Sequence, residues 1–184
     1  ARSQAWPSVR ASLSLAALGS LGDAIHAAER AIATYRNVGD RRGEARAVAN
    51  VAGFLADLGR TQDALARFTE ALPVLAVEGD YESVAQARTR MAPLFALTGR
   101  LDEAVRSLEE SVSLFERIGD RRSRAVALGT LGQMLRRLRR VDEAIVCAEE
   151  SIALFRAMAD RGGEARELAI LGHHHAAAGH KAKA

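Results

Sequence analysis

Between Arg41 and Asp80 the apolar positions Val48, Val51, Ala52 and Leu55 recur at steps of three and four. A second set, Ala64, Leu65, Phe68, Ala71, Leu72 and Leu75, does the same after a break at Gly59. This spacing puts each set on one face of an α-helix and leaves polar side chains on the rest of its surface. Two helices are therefore predicted in this stretch, each roughly 16 to 18 residues and about 25 Å long. Asp40 precedes the first, where its carboxylate can accept from the free N–H groups of the opening turn and oppose the positive helix end. Gln62 and Asp63 open the second, and Gly59 and Gly79 supply the permissive backbone of a helix stop.

The same block recurs along the chain. Asp40, Asp80, Asp120 and Asp160 are evenly spaced, Gly19, Gly59, Gly99 and Gly179 mark a second kind of turn, and Ala24, Ala64, Ala104, Ala144 and Ala184 form a small-residue column. A further column runs Ala5, Ala45, Ala85, Ala125 and Ala165. A period in this range is the signature of stacked helix pairs, each too small to bury its own apolar face. Two-residue joins force neighbouring helices to run antiparallel. The expected fold is all-α, an α-solenoid of antiparallel helix pairs. It forms a single solenoid over 1–184, with repeats 1–40, 41–80, 81–120 and 121–160 and a partial repeat 161–184.

Composition narrows the function classes. The chain is 48% hydrophobic but only 4% aromatic, with 3 Pro, which suits packed helices and disfavours a β-rich or disordered chain. A net charge of +3 and a sequence pI near 9.6 lean towards acidic partners. The single cysteine, Cys147, cannot form an internal disulfide and points to a reducing, cytoplasmic setting. No apolar run reaches the roughly 20 residues that span a bilayer, so no membrane partner is expected. The missing initiator Met and the stop at Ala184 suggest a fragment.

The fourth repeat carries Leu128, Leu131-Gly132 and Leu135 in its first helix and Ala144, Ala148 and Ser151 in its second. This pattern resembles the tetratricopeptide repeat family, across the whole chain. The unit here is longer than the usual ~34 residues and has Arg36, Ala76, Glu116 and Arg156 where the family closes with Pro. It is thus similar to the extended variant of kinesin light chains and of large bacterial regulators. The resemblance implies a right-handed superhelix whose first helices line a concave groove. The groove residues it implies include Arg10, Arg46, Asn50, Gln86, Arg90, Gln133, Arg136, Arg137 and Arg166. Arginines on such a surface favour carboxylate or phosphate, which guanidinium groups bind in pairs of hydrogen bonds. Of the family's carboxylate clamp, Asn50 and Arg90 hold matching positions, whereas Val9, Leu13 and Gln86 depart from it.

The expected function is therefore non-enzymatic: a protein-protein interaction scaffold that binds a peptide or protein segment, acidic or extended, or another domain of its own parent chain. The alternative is an effector-sensing or autoregulatory region of a larger bacterial signalling ATPase or transcription regulator. Nucleic acid ranks below both, because the cluster Arg136, Arg137, Arg139 and Arg140 has no interleaved aromatics and suits the end of a helix. A homodimer through the incomplete last repeat is also expected, since Leu168, Ile170 and Leu171 lack a cover there. No cofactor is implied. His173, His174 and His175 are consecutive, so on a helix they diverge by about 100° and cannot converge on a metal. Pro93 and Arg88 break the pattern of the third repeat and predict a bend or open joint there.

Overall fold

A computed structural model describes residues 20–179 together with Ser12, Ser14 and Ala16. Eight helices are described: α1 (Leu21–Asn37), α2 (Arg41–Asp57), α3 (Thr61–Val77), α4 (Tyr81–Leu97), α5 (Leu101–Ile118), α6 (Arg121–Arg137), α7 (Val141–Ala157) and α8 (Arg161–Ala177). There is no strand among the described residues. The fold is all-α, of the α-solenoid class, with adjacent helices packed in pairs.

The turns are built by one device throughout. Gly39 has φ 70° and lets the Asp40 N–H reach back to the Tyr35 carbonyl at 3.0 Å, closing the last turn of α1. The corresponding bonds recur at Arg60 to Leu55, Asp80 to Leu75, Arg100 to Phe95 and Asp120 to Phe115. Arg139 and Ala159 hold the same left-handed conformation without being glycine, at φ 64° and 54°. Each costs roughly 1–2 kcal/mol that the other turns avoid. The aspartates then start the next helices. Asp40 accepts from the Gly43 N–H at 2.9 Å, Asp120 from Ser123 at 3.0 Å and Asp160 from Gly163 at 3.0 Å. The helices that begin after Arg60, Arg100 and Arg140 have no side-chain cap and open instead on ion pairs three residues apart, Arg60–Asp63, Arg100–Glu103 and Arg140–Glu143.

The chain forms two compact units, residues 1–90 and 91–184, divided within α4. In the first, α1 packs on α2 and α2 on α3. Ala24 and Ala64 are wholly buried where these helices approach, and Phe68 and Leu75 fill the space beside them. In the second, α5 packs on α6, α6 on α7, α7 on α8, and α8 also reaches α6. There Ala104 and Ala144 hold the close approach, with Leu108, Phe115 and Phe155 as the bulk. The Ser151 hydroxyl donates to the Ala125 carbonyl at 2.8 Å, tying α7 to α6. In α8 the columns weaken: Ala165, Leu168 and Gly172 are exposed, because no described helix follows to cover them. Pro73 and Pro93 lie inside α3 and α4, which run through them.

Candidate functional site

In the first unit a cavity of about 430 Å³ opens between α2 and the start of α4. Its lining includes Tyr35, Asp40, Arg42, Arg46, Asn50, Gln86 and Arg90. Arg46 and Asn50 lie one helical turn apart on α2, and Gln86 and Arg90 one turn apart on α4, so the four project towards the same space. Four of the residues expected from sequence to line a groove are thus brought together. Arg10 lies outside the described residues.

These side chains have different amounts of freedom. Asp80, at the N-cap of α4, is 1% exposed. Arg46 grips it with two hydrogen bonds, from Nε to Oδ2 and from Nη2 to Oδ1 at 3.0 Å, and Arg42 adds Nε at 3.3 Å from Oδ2. Burial would raise the Asp80 carboxyl, but the hydrogen bonds from Arg46, the Ser83 side chain and Arg42 outweigh it and hold the pKa at about 2. The bond to Asp80 in turn raises Arg46. Arg46 is therefore chiefly a brace between α2 and the head of α4, a role that its groove-facing register does not disclose. Burial, and then the charge of Asp40, push the Tyr35 hydroxyl above its ordinary range.

Arg90 differs. It has no hydrogen-bond or ion-pair partner among the described residues, and its Nη1 lies where a side chain on Gly53 would be. The glycine gives the guanidinium a flat seat on α2 beside Asn50. Around the cavity Arg42, Arg46 and Arg90 face Asp40 and Asp80, leaving one net positive charge.

The remaining expected residues lie in the second unit. Gln133 and Arg136 are exposed on α6. Arg137 donates from Nη2 to the Ala96 carbonyl at 3.3 Å, so part of it is spent on the end of α4. Arg166 stands over the Phe155 ring, 5.6 Å from its centroid, and 3.6 Å from Glu167. The three histidines diverge: His174 is buried, while His173 is exposed and His175 is intermediate. Burial raises the Cys147 thiol to about 11, which leaves it protonated and inert as a nucleophile near neutrality.

Residues 83–157 match the family model described as tetratricopeptide repeat. That stretch carries tetratricopeptide repeats. No curated protein matches it in sequence. Among solved structures, the nearly identical TPR-like repeats of a Podosopora anserina chain named for the kinesin light chains superpose with a TM-score of 0.79 at 17% identity, covering 96% of this chain and 88% of that one. Apo RapI gives a TM-score of 0.84 at 16% identity, covering 92% of this chain and 62% of RapI. The Rap conjugation gene regulator of plasmid pLS20, in complex with the Phr* peptide, gives 0.80 at 18% identity, covering 92% of this chain and 47% of the regulator. These likenesses establish that the helix pairs are stacked as in tetratricopeptide repeat proteins. The expected loss of the closing Pro is compatible with that stacking, because the left-handed turn residues already end each helix.

Proposed function

We propose that these repeats form a non-enzymatic protein-interaction module whose first unit holds an extended polypeptide through one acidic group. The observation that carries this reading is Arg90: a cation without a partner, seated on Gly53 in a cavity shared with Asn50 and Gln86. Asn50 and Gln86 can serve the amide groups of an extended backbone, and Arg90 can take a carboxylate through two parallel hydrogen bonds. Arg42 and Arg46 share the carboxylate of Asp80, and Asp40 is the second acid beside them, so the cavity can neutralise a monoanion, and a dianionic phosphate would leave charge uncompensated. The pLS20 regulator, similar in fold, is in complex with a peptide, which supports a polypeptide ligand for this fold.

That regulator also lends support to a second arrangement, in which the ligand is a segment of the parent chain or an effector that displaces it. This chain spans 47% of the regulator's length, so a repeat region of this size can sit inside a larger gene regulator. Gln133, Arg136 and Arg166 offer the second unit a basic surface of its own, less free than Arg90 where Arg166 lies on Phe155.

The test begins with a peptide selected on the wild-type chain from a random library and labelled for fluorescence anisotropy. Arg90→Glu should weaken it by about tenfold or more, the scale of a lost hydrogen bond to a charged group. Arg136→Glu should leave it within about twofold, as expected of an exposed charge away from the site. Unchanged affinity in Arg90→Glu would refute the reading. Arg46→Glu is the poorer probe, because it would also release Asp80.

A further inference from the structure

Two columns of the repeat are apolar until the last described helix. Phe54, Leu94 and Met134 are buried in one, and His174 takes the fourth place. Ala47, Ala87 and Ala127 are buried in the other, and Glu167 takes the fourth. The structure keeps both polar side chains inside: His174 is 0% exposed and Glu167 3%. Among the described residues neither ring nitrogen of His174 has a hydrogen-bond partner, nor does Oε2 of Glu167. Each lies on a glycine of α6. His174 Nε2 is 3.3 Å from where a Cβ on Gly132 would stand, and that same point is 3.0 Å from the Ala144 carbonyl and 3.6 Å from the Cys147 Cβ on α7. Both Glu167 oxygens crowd Gly129 in the same way. The two residues are seven apart and so share the inner face of α8.

A neutral imidazole can fill such a space, as Met134 does one repeat earlier. An imidazolium cannot, because no described group there takes its charge. From α6 the group that faces it is the cation Arg136, and from α7 it meets Cys147, whose thiol is protonated. On α8 itself His173 and His175 flank it, and Glu167 is two turns away, about 10 Å along the axis. We propose that His174 makes the seating of α8 on α6 and α7 pH-sensitive, with the helix docked while the imidazole is neutral and released when it gains a proton. Burial, then Arg136, His173 and His175, depress the His174 pKa. The stability it supports is therefore complete above the free-histidine value and falls away as pH drops below it. Glu167 works in the opposite sense: burial raises its carboxyl, so acid relieves a cost it imposes near neutrality.

Amide exchange of the whole chain at pH 7.5 and 5.5, corrected for intrinsic rates, tests this. Protection in α8 should be lost at pH 5.5 relative to that in α6. His174→Gln should abolish that differential, and Glu167→Gln should enlarge it by removing the opposing group. Should His174→Gln fail to fold, the imidazole proton shifts of the wild-type chain decide: His174 should titrate below the free-histidine value as α8 loses protection. A His174 that titrates at the free-histidine value while α8 stays protected at pH 5.5 would overturn the proposal. So would an acid-induced loss of α8 protection that persists in His174→Gln.

Discussion

Replacing Asp80 by Asn separates the charge of this residue from its capping role, since Asn is an equally good N-cap. Asp80 is buried beneath Arg42 and Arg46, and its pKa stands at about 2 instead of 3.8. At 1.36 kcal/mol per unit, that difference is worth about 2 kcal/mol. The arginines are 48% and 41% exposed, so solvent screening reduces the figure towards 1.5 kcal/mol. Asp40→Asn and Asp120→Asn remove carboxylates that act mainly as caps and should cost within about 0.5 kcal/mol. The pH dependence follows from the depressed value. Stability from Asp80 is complete above the free carboxyl value near 3.8 and is lost as pH falls through about 2. The gap between wild type and Asp80→Asn should therefore narrow between pH 4 and 2. Urea titrations at pH 7, 4 and 2.5 measure it, with amide exchange in α2 and α4 as the local readout, because repeat arrays need not unfold in one step. An Asp80→Asn loss no larger than that of Asp40→Asn would refute the brace. A gap that persists undiminished at the acid end would do the same.

Two glycines with close neighbours should respond differently to the same substitution. At Gly43 an added Cβ would meet the buried Tyr35 ring at 2.5 Å, so Gly43→Ala should destabilise by about 1–3 kcal/mol, read from its thermal midpoint. At Gly53 the atom in the way is the end of the flexible Arg90 side chain, which can move. Gly53→Ala should therefore keep or raise stability, by up to ~1 kcal/mol from helix propensity, yet weaken the selected peptide by displacing Arg90 from its seat. A Gly53→Ala chain that melts early but binds normally would contradict this assignment.

Much of the fold is legible along the chain because it is local. Asp40, Asp120 and Asp160 meet N–H groups three residues on, and the wholly buried Ala24, Ala64, Ala104 and Ala144 are written as a column of small residues. The cavity was partly legible for the same reason, since register alone puts Arg46, Asn50, Gln86 and Arg90 on the first helices of adjacent repeats. What each arginine does there was not. The bond from Arg46 to Asp80 crosses 34 positions, and the contact of Arg90 with Gly53 depends on how closely two helices pack. His174 shows a signal that was present and overlooked. Its run of three histidines draws the eye to metals, whereas its place behind Phe54, Leu94 and Met134 marks a core position. Glu167, in line with three buried alanines, is marked in the same way.

The central claim is that Arg90 is the free cation of a peptide-binding cavity while Arg46 is committed to the fold. The most direct measurement is the NMR titration of the arginine Nε–H and of the Asn50 and Gln86 side-chain amides with the selected acidic peptide. The account predicts that Arg90, Asn50 and Gln86 shift together and saturate with one affinity, and that Arg46 stays bound to Asp80 with little change. Saturable binding that shifts Arg46 and leaves Arg90 unmoved, or that perturbs α3 instead of this cavity, would contradict it.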